Sequence, residues 1–365
     1  MSQDAIARRV AESIPATTTH AQVAAQIGLS EEKLSKSLRG QRAFSSVELA
    51  QLADVLNVGV RWLITGRPDP HRLVVTARHD YHHATGERDV PGRTDDQRVI
   101  DDVHLAYRQA FAAWNPAVCT LPAEVHSIRA ALGPDFARDF ADRLESALDV
   151  DVIRVAEVST AHSFRVGTRK VIVLPATGNW FRENWSLAHE LGHLVADHHA
   201  ENLSRAEWDS HEAIADAFAA ELLLPAREVY NVDWDALALP ELGDLVWAFG
   251  VSTDTLRRRL GRLNIEVPAP ISEALALNTP KLLRRHWTGQ HPDAVRQIAA
   301  RIDQAATRRF PIKLQNAHTD LIADGALHKC TLAWMLGINA DALEVDVPPP
   351  PESVDPDQLA PALEL

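Results

Sequence analysis

Cysteine is nearly absent: Cys119 and Cys330 are the two copies in 365 residues. That excludes a disulfide framework and a C-x-x-C metal or redox site, so a reducing cytoplasm is the expected compartment. Both thiols are expected as small buried hydrophobes. No stretch approaches the ~18 apolar residues of a bilayer-spanning helix. The N-terminal MSQDAIARRVAES lacks the apolar core of a secretory leader, so no membrane partner is expected. Lysine is scarce, six copies against 31 arginines, and 50 acidic residues outnumber 37 basic ones for a net charge of −13. A uniformly basic nucleic-acid coat is thereby excluded, but a local DNA-binding module is not.

What is present is ordinary globular material, 46% hydrophobic and 24% charged, long enough for two or three domains. Charge is unevenly spread. Residues 1–66 hold seven basic and six acidic side chains, whereas residues 341–365 hold seven acidic and no basic ones. The proline-rich end, residues 345–365, reads as a solvated acidic tail. Residues 67–93 combine Pro, Gly, His and Arg with one short apolar run at 73–75, the pattern of a linker containing an extended piece. His79, His82 and His83 have no acidic or cysteine partner at ligand spacing and are read as solvated.

Secondary structure follows from periodicity and punctuation. Short helices are predicted over 4–13, 19–28, 30–38, 46–56 and 59–64, with Thr19 and Ser30 as caps and Gly28 as a stop. Their apolar positions Val23, Ile27, Leu34, Leu38, Leu49, Leu52, Val55 and Leu56 follow a helical period. Residues 94–114 and 134–148 read as helices, and 150–158 and 169–174 as strands because β-branched residues dominate them. Residues 184–198 and 207–224 form two further helices, and 239–264 and 316–343 read as helical pairs. The fold class expected is mainly α with a small β-sheet (α+β). Its parts are a head at 1–66, a linker at 67–93, a central domain at 94–268, a helical region at 269–344 and the tail.

The chemistry concentrates in NWSLAHELGHLVADHH. His189 and His193 are one helical turn apart and project from the same face, placing two imidazoles on one zinc ion. Glu190 points beside the metal, where it takes a proton from the attacking water. A catalytic zinc needs a third protein ligand, and the helix HEAIADAFAAELLLP supplies Glu212. Asp216, again one turn on, accepts a hydrogen bond from a ligand histidine and sets its tautomer. Gly192 lets a neighbouring helix approach closely. His198, His199, His211 and Tyr230 are read as surface or packing residues, and Glu221 and Pro225 as structural. None of these identifies the group that stabilises an oxyanion.

WSLAHELGH followed by HEAIADAFAAELLLP resembles the ImmA/IrrE family of metallopeptidases over roughly residues 95–265. That resemblance implies a gluzincin-like zinc peptidase fold with His189, His193 and Glu212 as ligands, Glu190 as general base, and a helical extension at 241–264. In that extension Arg257, Arg258, Arg259 and Arg262 are basic, while Trp247, Leu256 and Leu260 form an inner face. Residues 4–66 resemble a five-helix Cro/C1-type (XRE) helix-turn-helix domain through Ala24, Gly28, Ser30, Leu34, Ser35, Gly40, Leu49, Leu52, Ala53, Leu56 and Leu63. This second resemblance implies operator DNA as partner through residues 19–42, with residues 30–38 in the major groove. Ser30, Lys33, Lys36, Arg39, Gln41 and Arg42 are its candidate DNA contacts, and a homodimer is its usual form. The sequence departs from the pattern at His20, and at Glu31 and Glu32, which repel phosphate.

Together the two resemblances imply a cytoplasmic regulator whose peptidase cleaves a helix-turn-helix repressor or antitoxin-like protein in stress response or mobile-element control. The alternative is a regulator that uses the zinc domain as a sensor without proteolysis. An antitoxin-like partner of a two-protein system is a third reading.

Overall fold

A computed structural model describes residues 3–15, 18–56, 58–66, 75–77, 80–82, 87–89, 93–111, 120–198, 205–289 and 291–346. The chain divides into two compact units, Met1–Arg72 and Leu73–Leu365. None of its described helices is long and apolar enough to cross a membrane.

The first unit contains five helices: α1 (Gln3–Ser13), α2 (His20–Gln26), α3 (Glu31–Leu38), α4 (Ser46–Val55) and α5 (Val60–Thr65). Side-chain caps define several of the starts. Thr19 Oγ1 accepts from Gln22 N–H while Gln22 Oε1 accepts from Thr19 N–H, a reciprocal capping box. Ser30 caps α3, and Ser45 exchanges the same pair of bonds with Glu48 at the start of α4. Gly28, at φ +68°, turns the chain between α2 and α3 in a conformation that disfavours a side chain. Arg9 donates to the carbonyls of Leu63 and Ile64, satisfying the open end of α5. The core is Val10, Val23, Ala24, Ile27, Leu34, Leu49, Leu52, Ala53 and Leu63. Val55 is instead 37% exposed, because the inward stripe of α4 runs through Leu49, Leu52 and Ala53 and leaves Val55 on the outer face.

The second unit is built on a four-stranded mixed sheet of β1 (Val75–Ala77), β4 (Val150–Val155), β5 (His162–Val166) and β6 (Arg169–Pro175), in the order β1-β5-β6-β4. A separate hairpin joins β2 (Asp80–His82) to β3 (Glu87–Asp89). Strands β4 and β6 pair in parallel, and β5 and β6 form an antiparallel hairpin that turns through Gly167 at φ +60°. Side chains alternate between the two faces of the sheet. Val150, Val152, Ile172 and Leu174 join one core, and Ile153, Val155, Phe164, Val171 and Val173 join the other. Both faces are covered, so the central strand reads as a continuous apolar run.

The second core is closed by α6 (Arg93–Ala110), α17 (Ile312–Ala323) and α18 (Cys330–Leu336). The first is closed by α7 (Val125–Leu132), α8 (Phe140–Leu148), α9 (Trp180–Val195), α10 (Arg205–Leu223), the short α11 (Ala226–Tyr230), α12 (Leu239–Phe249), α13 (Thr253–Arg262), α14 (Ala269–Leu275), α15 (Thr279–His286) and α16 (Ala294–Ala306). Trp247, Leu256 and Leu260 are buried in it.

Several elements differ from the sequence reading. The segment 67–93, expected as a linker with one extended piece, holds three short strands: Val75–Ala77 pairs with β5 as an edge strand of the sheet, and β2 and β3 pair with each other. The helix expected at 134–148 starts at Phe140, because Asp135 in the left-handed region and a tight turn at Phe136–Arg138 precede it. Strand β4 ends at Val155, and β5 and α7 were not legible as separate elements. Cys330 is exposed rather than buried, with its Sγ 3.0 Å from His328 Nδ1. Cys119, His79, His83, His199 and the tail from 347 onward lie outside the described residues, as does the side chain of His82.

Candidate metal centre

Helix α9 begins at Asn179, whose side chain accepts from Arg182 N–H. It is buried on every side from Ser186 to Leu194, which is unusual for a segment holding two histidines and a glutamate. Its neighbour α10 lies against it at Gly192. A Cβ placed there would sit 3.1 Å from Ala215 Cα and 3.3 Å from Ala215 O, so the close approach expected from the sequence is present. This contact sets α10 at the distance where its own polar residues reach those of α9.

His189, His193 and Glu212 converge. The two Nε2 atoms are 3.1 Å apart. Glu212 Oε2 is 3.4 Å from His189 Nε2, and its Oε1 is 3.4 Å from His193 Nε2. Donors bound tetrahedrally at ~2.0–2.1 Å from a zinc ion lie roughly 3.3 Å from one another, so the three fit one ion. All three residues are buried. Burial works to lower the basicity of His189, but its hydrogen bonds to Asp216 and Glu212 and the charge of Glu190 outweigh that and push its pKa up to about 9. Burial works to raise the pKa of Glu212, and the two histidines hold it far below the usual carboxylate range instead. Two imidazoles and a carboxylate clustered in this way form a site for a cation.

The outer partners orient the ligands. His189 Nδ1 lies 3.0 Å from Asp216 Oδ1, so a proton on Nδ1 leaves the Nε2 lone pair facing the cluster. His193 Nδ1 lies 3.1 Å from His198 Nδ1. When His193 offers Nε2 to a cation its proton sits on Nδ1, and His198 is then the acceptor. His198 suits that part: burial, then the neighbouring His211 and His193, push its pKa down to about 4, so it stays neutral. It is 8% exposed and stacks on His211 at 3.8 Å with an interplanar angle of 1°. His198, expected as a surface or packing residue, is therefore packed, and it also backs His193. The physical reason is Asp197, which takes φ +55° just after α9 and turns the chain so that His198 N–H reaches His193 O. Of the other residues read as packing, Tyr230 is exposed and donates to Leu263 O.

Glu190 is fully buried, and neither of its carboxylate oxygens has a hydrogen-bond partner among the described residues. A cavity of about 520 Å³ borders Asp216 and is lined by Phe181, Trp185, Arg182, Arg258 and Arg262 among others. Glu221 is structural: it accepts from Ala226 N–H and pairs with Arg259.

Residues 146–261 match the family model of the IrrE N-terminal-like domain, Peptidase_M78. This metallopeptidase-type region holds all of His189, Glu190, His193, Glu212 and Asp216, together with strands β4 to β6 and helices α9 to α12. No curated protein and no solved structure compared with the chain matches it.

The candidate DNA contacts lie in the first unit. Lys33 and Gln41 are exposed, and Ser30 is committed as the α3 cap. Lys36 pairs with Glu32 at 2.7 Å, and Arg39 Nε donates to Ser35 O. Arg42 does not stand ready for a phosphate. It donates to both oxygens of Glu48 and to Ser37 Oγ, because Glu48 is the fixed carboxylate of the α4 cap.

Proposed function

We propose that this protein is a cytoplasmic DNA-binding regulator with a zinc-dependent peptidase domain. Its substrate would be a helix-turn-helix repressor or an antitoxin-like protein controlling a stress response or a mobile element. Glu190 carries the reading. A buried carboxylate without donors is costly to keep, and two ligand imidazoles on the same helix give it a chemical task. His189, His193 and Glu212 would hold the zinc, with Asp216 and His198 fixing the two rings. Bound there, zinc supplies Lewis-acid polarisation of a peptide carbonyl and acidifies the attacking water. Glu190 takes the proton from that water and returns it to the departing amine. The cavity beside Asp216, with aromatic and arginine walls, would receive part of the substrate. The capped α2–α3 pair supports operator binding through residues 19–42, most simply as a homodimer.

The depth of the site favours a second reading, in which the domain senses metal and does not cleave. His189, Glu190 and His193 are at most 1% exposed. The two readings separate by experiment. Zinc is measured in wild type and His189→Ala, and wild type and Glu190→Gln are incubated with repressors encoded by neighbouring genes. The peptidase reading expects about one zinc per chain, lost in His189→Ala, and cleavage by wild type but not Glu190→Gln. Metal-loaded wild type that cleaves none of them while repressing its promoter would establish the sensor.

A further inference from the structure

Arg301 of α16 is 8% exposed, and both of its Nη atoms lack a hydrogen-bond partner among the described residues. Its guanidinium carbon lies 4.3 Å from the ring centre of Trp180, at the start of α9, and 4.2 Å from that of Trp247 in α12. The two indoles satisfy the faces of the cation. They do nothing for its in-plane N–H donors, which need an acceptor at the edge. A cavity of about 20 Å³ lies there, lined by Arg301, Arg138, Arg154, Glu183, Asn184 and Gln304 among others.

The charges around this cavity do not balance. Three guanidiniums and one carboxylate line it, Glu183 is already held by Arg154 through both oxygens, and Asp139, outside the lining, offsets only part of the charge near Arg301. Burial, and then the proximity of Arg138, lowers the pKa of Arg301 to about 10, which leaves it charged at neutral pH. A buried unpaired cation is unfavourable. The space admits one water-sized particle and is too small for sulfate or phosphate.

We propose that this cavity is a binding site for a monatomic anion, chloride being the abundant one, with Arg301 as the principal donor. The bound anion accepts from the Arg301 edge and pins α16 onto the first turn of α9, the helix that carries His189, Glu190 and His193. Gly178 N–H donating to Ala305 O already joins the same two segments. The inference does not depend on metal or peptidase chemistry.

The test uses the full chain at constant ionic strength, with chloride exchanged for gluconate. Wild type should melt several degrees higher in 0.2 M chloride, with saturation, and should broaden the ³⁵Cl resonance of the buffer. R301M should lose both responses, and R301Q replaces it if R301M does not fold. Equal melting of wild type in the two salts would overturn the proposal. So would a chloride response that survives removal of the guanidinium.

Discussion

Gly192 of α9 and Ala215 of α10 meet so closely that a Cβ on the glycine would lie 3.1 Å from the Ala215 Cα. Glu212 and Asp216 flank that contact on α10, and His189 and His193 flank it on α9. The helix-to-helix distance therefore sets the spacing of the ligand atoms.

Gly192→Ala tests this spacing. Alanine gains about 1 kcal/mol of helix propensity over glycine, but overpacking costs about 1–3 kcal/mol. Two of the three nearest atoms it meets, on Ala215, are backbone and cannot swing aside, and the third is Phe218 Cδ1 at 3.2 Å, so the expected balance is destabilisation of about 1 kcal/mol. Denaturant melts check that figure. Metal affinity, measured by competition with a chelating dye, should fall in the same variant because Glu212 moves with α10.

Asp216→Ala should leave the fold nearly unchanged, since the carboxylate is 41% exposed. It should nonetheless weaken metal binding about 10- to 100-fold by releasing the His189 ring. The same dye competition provides the number, and an affinity equal to wild type would show that Asp216 does not orient the ligand.

Acid should loosen the first unit. The Glu48 carboxyl is held below the usual range chiefly by the Arg42 guanidinium, and Ser45 adds to this. A depressed carboxylate contributes stability that is complete above its unfolded pKa, about 4.3, and is lost as pH falls toward the lower folded value. Hydrogen exchange of α3 and α4, taken relative to the intrinsic rate at each pH, should thus be flat from pH 7 to about 5 and accelerate below that. In Glu48→Gln it should be faster throughout and depend less on pH.

The second unit has its own acid response at His318. This ring is fully buried on α17, and Nε2 lies 2.9 Å from Ala106 O of α6. Burial pushes its pKa down, so the folded state favours the neutral form. Its stabilisation is complete above the unfolded pKa of about 6.5 and erodes as pH falls below it, because the unfolded chain takes up the proton first. His318→Gln should flatten the decline of melting temperature between pH 6.5 and 5. It should also cost about 1 kcal/mol at pH 7 through the weakened bond to Ala106.

The candidate site was legible where its chemistry is local. His189, Glu190 and His193 share one helix, and Glu212 and Asp216 share another, so one-turn spacing exposed both halves. His198 escaped because its part depends on the left-handed turn at Asp197, which leaves no periodic signal. Arg42 read as a free basic residue because its partner Glu48 belongs to the following helix cap. Strand β5 was missed because HSFRV carries polar residues that are buried by long-range partners. His162 lies against Asp96 of α6, for example, and no local pattern announces that.

The sequence by itself determined the helix starts at Thr19 and Ser30, the apolar runs of β4 and β6, and the identity of the side chains that form the candidate metal site. These depend on neighbours within a turn or on residue type. Tertiary structure alone decided how far apart the candidate ligands on α9 and α10 stand, that Arg301 is buried between two indoles with no acceptor for its Nη atoms among the described residues, and that His198 backs His193. Each of these joins residues distant along the chain or across a chain reversal, and packing, not local propensity, sets their separation.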